Sequence, residues 1–219
     1  MRALKKIEDN AEQVFMGADG KQQIIVAMTG ASGAGYGLRL MQCLANAGIH
    51  QHVLISSAAR VVLKQETDIE LPAAPDESGR VLATQLDIPP DALTCYGLED
   101  WFSPAASGSA GIRRMVVVPC SMGTMARIAS GASDNLIERA ADVVLKEHGL
   151  LILVPREMPV SSIHLENMLK LSRMGVHMLP AMPGFYHRPK RIEELVDFVV
   201  ERVLDHLDMA SGEARRWGA

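Results

Sequence analysis

Two charged residues follow an apolar segment at a place where a protein could bind and process a phosphate ester. Arg156 and Glu157 follow the apolar run 150–154 and Pro155. A helix-like pattern precedes this run. A guanidinium binds phosphate oxygens through two parallel hydrogen bonds, and a neighbouring carboxylate can move protons. Two such residues can also form a surface ion pair that contributes little energetically. Their position at the end of a predicted strand favours the functional interpretation.

Runs of small and hydroxylated residues follow the other predicted strands. These runs are Gly30-Ala31-Ser32, Ser56-Ser57, Ser121–Thr124 and Pro183–Tyr186. Where such a run opens a helix, free backbone N–H groups and the helix dipole attract phosphate. Tyr186 suits a ligand contact there, although the same ring could pack in the core. For the first run, the residues alone leave open a purely structural tight turn.

The first run does not match the best-known nucleotide motifs. The motif G-x-x-x-x-G-K-[ST] fails because Tyr36 follows Gly35, so a P-loop is not expected. The dinucleotide motif G-x-G-x-x-G fails because Leu38 stands where the third glycine belongs. The second strand ends at Ser56 and offers no acid for the ribose diol of NAD. A mononucleotide such as FMN therefore fits this loop better than NAD.

The residue spacing argues against metal and serine-hydrolase chemistry. The seven histidines form neither H-x-x-x-H nor H-E-x-x-H, and no two aspartates are adjacent. We therefore expect no metal site. No G-x-S-x-G elbow is present, which argues against a serine hydrolase.

Composition limits the class of protein. With 219 residues and 48 % hydrophobic content, the chain can form one ordinary domain. A net charge of −4 argues against a nucleic-acid-binding protein. The three cysteines lie far apart without a C-x-x-C pair, and residues 1–21 contain no secretory signal, so a cytoplasmic location is expected. No segment reaches the roughly 18 apolar residues of a membrane span.

The elements that must position these groups alternate between strands and helices. Apolar runs predict strands at 24–28, 52–55, 115–118, 150–154 and 176–179. Helical spacing predicts helices at 36–47, 58–66, 161–173 and about 192–207. Two further helices are predicted after the third strand, one from the segment 120–124 to about residue 129 and one at 134–148 with Asp134 as N-cap. Residues 70–114 lack clear periodicity and are interpreted as loops and short elements. The alternation predicts a three-layer α/β fold with a doubly wound, mostly parallel sheet in a single domain, 22–219, after a polar extension, 1–21.

Several long motifs in this order resemble the flavin prenyltransferases, a family formerly described as aromatic-acid decarboxylases of ubiquinone biosynthesis. The motifs are MTGASGAGYG at 28–37, PCSMGT at 119–124, NLIERAAD at 135–142, VPRE at 154–157, SSIHLENMLKL at 161–171 and PGFYH at 183–187. The resemblance runs from about residue 23 to residue 217. It implies a flavodoxin-like, Rossmann-like fold and a homododecamer with active sites between subunits.

The resemblance also implies an activity. Such an enzyme joins the dimethylallyl group of dimethylallyl phosphate to N5 and C6 of reduced FMN without a metal. The product, prenylated FMN, would serve a partner decarboxylase. Neither nucleic acid nor a membrane is an expected partner.

Each implied site residue matches a position of the family pattern. Those expected around FMN are Gly30, Ala31, Ser32, Ser56, Ser121, Met122, Gly123, Thr124, Arg139 and Arg156. Those expected around the prenyl phosphate are Lys146, Arg156, Glu157, Tyr186 and Arg202, with Trp101 and Trp217 as nearby aromatic residues. Glu157 is the first choice for the proton steps, and Glu66 with Ser32 is the second.

Two departures from the pattern and two rival functions remain open at this level. Met122 replaces a small polar residue, which is tolerable if only its backbone N–H is used, and the extension before residue 22 is unusually long. One rival is an FMN-dependent decarboxylase of the same fold, although residues 106–109 read ASGS where those proteins share P-A-S-A-N-T. The other is a non-catalytic protein that delivers FMN and would need neither Glu157 nor the cations at 146 and 202.

Overall fold

The computed structural model describes residues 22–209. The predicted extension 1–21 and Trp217 lie outside the described residues. The strands are β1 (Gln23–Met28), β2 (His50–Ile55), β3 (Leu93–Tyr96), β4 (Arg114–Cys120), β5 (Leu150–Pro155) and β6 (His177–Met178). The helices are α1 (Ala34–Asn46), α2 (Ser57–Glu66), α3 (Pro75–Leu86), α4 (Met122–Ser130), α5 (Leu136–Lys146), α6 (Ser162–Arg173) and α7 (Ile192–His206).

The six strands form one parallel sheet in the order β3-β2-β1-β4-β5-β6. The chain builds one half outward from β1 and then returns to β4, on the other side of β1, to build the second half. The strand order therefore reverses between β1 and β4. In a doubly wound sheet, the crevice at the carboxyl ends of two such strands is the usual place for a ligand.

Helices cover both faces of the sheet, which confirms the predicted three-layer, doubly wound α/β fold. On one face, α1, α2, α3 and α7 contribute the buried side chains, and Ile24, Val26 and Met28 of β1 point toward them. On the other face, α4 and α5 pack over Ile25 and Ala27. The alternation of side chains along a strand explains why a strand buried on both faces is apolar throughout.

The structure corrects the interpretation of residues 70–114 as loops and short elements. This segment contains the twelve-residue helix α3 and the edge strand β3. Pro75 in the first turn and the acids Asp76 and Glu77 after it are ordinary helix-start signals. Gly79 faces β3 at the middle of α3, where an apolar side chain would otherwise have completed the helical pattern.

Among the element boundaries that differ from the sequence prediction, two concern the segments around the crevice. Strand β4 continues through Pro119 to Cys120 and does not end at residue 118. The N-cap of α5 is Asn135 and not Asp134, because the Asn135 side chain accepts hydrogen bonds from the N–H groups of Ile137 and Glu138. Asp134 instead forms an ion pair with Arg127, at 2.6 Å. Within the described part of the chain, no helix combines the length and apolar composition needed to cross a membrane.

Candidate active site

The hydroxyl of Thr29 joins the carboxyl ends of β1 and β4. The side chain, about 1 % exposed, donates to the Pro119 carbonyl oxygen at 3.0 Å and accepts from the Ser121 N–H at 2.7 Å. The Thr29 N–H donates to the same carbonyl at 3.1 Å. These bonds hold Gly30-Ala31-Ser32 and Ser121–Thr124 at the point where the strand order reverses. Sequence reasoning missed Thr29, although a hydroxyl directly after an apolar strand was a usable signal.

The N-terminus of α1 is closed by a carboxylate from α2. Glu66 accepts from the Gly33 N–H at 2.9 Å and from the Ala34 N–H at 2.8 Å. Gly33 has a φ of +114°, a conformation that side chains rarely adopt. Since Glu66 already neutralises the positive end of α1, this helix terminus does not attract a phosphate.

The charge on Glu66 is stabilised where it lies. Partial burial alone would raise its pKa, but hydrogen bonds from Ser32, Gly33 and Ala34 and the positive charge of Arg156 outweigh burial and lower the pKa. Glu66 is therefore a carboxylate at neutral pH. It can accept a hydrogen bond or a proton, but it does not start as an acid.

Arg156 crosses the crevice from the end of β5 to the first loop. Its Nε donates to the Ser32 carbonyl oxygen at 3.2 Å. The structure thus brings Arg156, Ser32 and Glu66 together from three separate parts of the chain. Glu157, the next residue, is exposed and accepts from the Met158 N–H at 3.2 Å.

The N-termini of α2 and α4 are capped by serines and remain suited to an anion. Ser56 accepts from the Ala59 N–H at 3.0 Å, and Ser121 accepts from the Thr124 N–H at 3.3 Å. A serine cap occupies one of the terminal N–H groups and leaves others at the end of the helix. Met122 has its side chain in the core, so it can contribute only its backbone to a ligand. Gly123 beside it is exposed.

Arg202 lies on α7, and Tyr186 lies in the loop before this helix. Tyr186 is half-exposed in the loop that precedes this helix, and its ring meets Phe198 of α7 edge to face. Arg202 follows Phe198 by four residues, which places both on one face of the helix. The Arg202 guanidinium pairs with Asp205 at 2.6 Å.

The two cations predicted on α5 lie at different places. Arg139 donates to the Ala106 carbonyl oxygen at 3.1 Å and pairs with Asp142 at 3.1 Å. Lys146 ends the helix shortly before β5 begins, so it lies at the amino end of the sheet, opposite the crevice. It lines a groove of about 560 Å³ together with Gly131 and Lys170. One copy of the chain does not bring Lys146 to Arg156.

Two aromatic side chains on the loop after β3 are exposed. Trp101, predicted near the site, is about half-exposed, and Phe102 is fully exposed. The loop is attached to α5 through the Leu136 N–H, which donates to the Leu98 carbonyl oxygen at 2.8 Å. The second tryptophan of the prediction, Trp217, lies outside the described residues.

A buried carboxylate near the start of α5 was also missed by sequence reasoning. The Glu138 carboxylate accepts hydrogen bonds from the Arg127 guanidinium, from the Asp134 N–H at 2.9 Å and from the Asn135 side-chain amide at 2.6 Å. Burial would raise its pKa, but the hydrogen bonds from Arg127 and its neighbours outweigh burial and lower it. The pair spans eleven residues, a spacing with no recognisable sequence signal. Its role is to fix the turn between α4 and α5.

Cysteine and metal chemistry find no support in the described residues. Burial raises the pKa of Cys95 and of Cys120 to about 12, so neither thiol is a nucleophile at neutral pH. Within residues 22–209, no group of three or more His, Cys, Asp or Glu is placed to hold a metal ion.

Comparisons with known proteins point to one group of enzymes. The family model described as Flavoprotein matches residues 15–204. Flavin prenyltransferase UbiX of Pseudomonas aeruginosa is 52 % identical over 199 residues, covering 91 % of this chain and 95 % of that protein.

Two solved structures share the fold closely. AnUbiX in complex with FMN and dimethylallyl pyrophosphate has a TM-score of 0.80 and 39 % identity, covering 91 % of this chain and 98 % of that one. A dodecameric FMN-dependent UbiX-like decarboxylase from Escherichia coli O157:H7 has a TM-score of 0.79 and 43 % identity, covering 90 % of this chain and all of that one.

The carboxylate that closes α1 leads to a prediction about stability and pH. Because the pKa of Glu66 is lowered in the folded protein, its contribution is present above the ordinary pKa of a glutamate. The contribution is lost as the pH falls through the lowered value. We expect Glu66→Gln to lower the free energy of unfolding by about 1 kcal/mol at neutral pH, as other helix caps do. The variant should also lose less stability than the wild type on acidification.

Urea unfolding of both proteins between neutral and acidic pH measures this effect. Glu70→Gln is the matched control, because Glu70 forms only an exposed pair with Lys64 at 2.7 Å and such pairs contribute little. Equal midpoints for Glu66→Gln and the wild type at neutral pH would show that the carboxylate does not stabilise α1.

Proposed function

This chain belongs to the flavin prenyltransferases, within the flavoprotein family, and we propose that it joins the dimethylallyl group of dimethylallyl phosphate to N5 and C6 of reduced FMN. The observation that carries this assignment is the position of Arg156. Its Nε donates to the Ser32 carbonyl oxygen at 3.2 Å, and the exposed Glu157 follows it in the chain. We therefore assign Arg156 to the phosphate, beside the loop proposed to bind the flavin, and Glu157 to the proton steps next to it.

The residues at the crevice fit a flavin mononucleotide. The serine-capped ends of α2 and α4 offer N–H groups to one phosphate, whereas α1 is closed by Glu66. The backbone of Gly30, Ala31 and Ser32 lies at the edge of the crevice, where a flat ring can approach. No acid follows β2, so a second nucleotide would lack its usual ribose contact. When bound, reduced FMN supplies the nucleophilic nitrogen.

The cations of the site are suited to a departing phosphate. As the allylic C–O bond breaks, the phosphate leaves with the electron pair, and preorganised positive charge stabilises it. We assign this role to Arg156, Lys146 and Arg202, with a hydrogen bond from Tyr186. Bond formation at N5 would release the N5 proton. Ring closure at C6 would then require a proton to be added to the remaining prenyl double bond and the C6 proton to be lost, and we assign these proton transfers to Glu157. Glu66, an ionised acceptor bonded to Ser32, is the second candidate.

The site is proposed to be completed by neighbouring copies of the chain. Lys146 lies at the wrong end of the sheet to meet Arg156 within one copy. Helix α6 buries only Leu171, while Ile163, Leu165 and Leu169 are 64 %, 54 % and 51 % exposed. Apolar surface of this extent on one helix is typical of a protein–protein interface. We propose a homo-oligomer, a dodecamer by analogy with the related structure.

Two other functions are less well supported. A decarboxylase of this fold is named among the related structures, but the curated relative at 52 % identity is a flavin prenyltransferase and a related structure holds FMN with dimethylallyl pyrophosphate. A protein that only delivers FMN would have no use for Glu157 or Arg202. We further propose a cytoplasmic location, consistent with three free cysteines, and a decarboxylase that depends on prenylated FMN as the recipient of the product.

The first prediction from the proposed function is the reaction itself. Anaerobic incubation with reduced FMN and dimethylallyl phosphate should yield a flavin heavier by the dimethylallyl group, detected by mass spectrometry. EDTA should leave the rate unchanged, because protein cations carry the phosphate charge. Parallel incubation with the diphosphate shows which leaving group is preferred. Unmodified FMN in every incubation, or release of carbon dioxide from an aromatic acid without prenylation, would contradict the proposal.

The second prediction separates flavin binding from chemistry. Glu157→Gln should retain FMN affinity and lose about 10²–10⁴-fold in prenylation rate, the usual contribution of a general acid or base. Arg139→Ala should weaken FMN binding itself. Glu77→Gln, an exposed glutamate in the first turn of α3, is the matched control and should behave as wild type. Equal turnover by wild type and Glu157→Gln would show that Glu157 does not carry the proton, and Glu66 or the released phosphate would then be the proton carrier.

The third prediction concerns assembly. Leu165→Glu places a charge within the exposed apolar surface of α6 and should convert a large assembly into smaller species in sedimentation velocity. Because Lys146 must then be missing from the crevice, prenylation should fall at least tenfold. Gln85→Glu adds the same acid to an exposed position of α3 and should leave both unchanged. A wild-type chain that sediments at 23.8 kDa would refute the proposed oligomer.

A further inference from the structure

Three aromatic rings pack together where the loop before α7 meets that helix. The ring centroids of Tyr186 and Phe198 are 5.8 Å apart at an interplanar angle of 77°. His187 stacks on Phe198 at 5.4 Å and 4°, and it meets Tyr186 at 5.6 Å and 80°. Edge-to-face and stacked pairs at these distances are favourable beyond their buried area. Phe198 therefore contacts both consecutive rings of the loop.

Gly184 allows the loop to close on these rings. A Cβ atom at this position would lie 2.9 Å from Cζ of Phe198 and 3.1 Å from Cε1 of Tyr186. The first distance is too short for real side chains. A side chain at residue 184 would therefore separate Tyr186 from Phe198, and the contact depends on the glycine as well as on the rings.

The helix under the rings is firmly attached to the rest of the domain. The residues after Phe198, Val199 and Val200, are buried in the core. The residue before it, Asp197, pairs with Arg39 of α1 at 2.6 Å. Phe198 is thus a fixed surface, and the half-exposed ring of Tyr186 packs against it from the loop.

Phe198 also relates Tyr186 to a cation. Residues four apart on a helix lie on the same face, so Phe198 and Arg202 occupy successive turns of one face of α7. A tyrosine held on Phe198 is held on the face that presents the guanidinium. One helix face then sets the positions of a hydrogen-bond donor and a positive charge relative to each other.

We propose that Phe198 is a positioning residue for the prenyl phosphate: it fixes the Tyr186 ring on the face of α7 that carries Arg202. The inference rests on the proposed function, in which Tyr186 and Arg202 bind this phosphate. A displacement of about 1 Å in a positioning group can lower the reaction rate up to 10²-fold. Loss of the Phe198 ring should therefore impair the reaction of dimethylallyl phosphate without changing the affinity for FMN.

The experiment measures steady-state prenylation at saturating reduced FMN, together with the FMN dissociation constant. Phe198→Leu should raise KM for dimethylallyl phosphate about tenfold and lower kcat as well, with FMN affinity within twofold of wild type. Gly184→Ala, which attacks the same contact from the loop, should do the same. Val199→Ala is the matched control: it destabilises the same helix at a buried position but leaves the ring contact, and its KM should remain that of the wild type.

A double-mutant comparison shows whether Phe198 acts through the phenol of Tyr186. In a Tyr186→Phe background, Phe198→Leu should change KM less than twofold, because the hydrogen bond it positions is already lost. A full tenfold effect in that background, or equal KM values for Phe198→Leu and Val199→Ala, would overturn the inference. If the wild type makes no prenylated flavin, or Tyr186→Phe leaves KM unchanged, the proposed function or its assignment of Tyr186 fails instead.

Discussion

The hydroxyl of Thr29 holds the carboxyl ends of β1 and β4 together, and the groups of the candidate site are placed relative to that junction. Parallel strands whose connections lead in opposite directions leave a gap at their carboxyl ends. Thr29 bridges it with bonds of 3.0 and 2.7 Å to Pro119 and Ser121. The strands are also paired through their backbones, but the hydroxyl adds the bond to Ser121 that fixes the start of the second loop beside the first, which Arg156 reaches from β5.

The distribution of charge around the junction determines where an anion can bind. All helices that follow the central strands present a positive end to the crevice, but Glu66 neutralises the end of α1 with a carboxylate whose pKa is lowered. The ends of α2 and α4 keep their serine caps and remain available. Arg156 donates to the Ser32 carbonyl oxygen and is close enough to help lower the pKa of Glu66. The crevice thus combines a carboxylate acceptor at the start of α1 with serine-capped ends of α2 and α4 that suit an anion.

A single copy of the chain does not bring together all the cations proposed for the substrate. Lys146 lies at the amino end of the sheet, and α6 presents an apolar surface that water does not favour. Both features have the same explanation if neighbouring copies cover α6 and supply the missing cation. The ring cluster of Tyr186, His187 and Phe198, in contrast, is complete within one copy. Local positioning by α7 and completion by assembly are therefore separate properties of the site.

The sequence by itself determined the fold class and most of the loops that meet at the crevice. Strands buried on both faces are continuously apolar, so β1, β2, β4 and β5 could be recognised from the sequence. The polar and small residues that follow these strands could then be identified as the loops at the carboxyl edge of the sheet. The helix α3 and strand β3 were missed, because Gly79 interrupts the helical pattern and an edge strand of four residues carries little signal. Only the tertiary structure decided that Glu66 closes α1, that Arg127 pairs with Glu138 and that Phe198 supports Tyr186. These contacts join residues from separate elements, and their geometry depends on how the elements pack, which no local pattern of residues records.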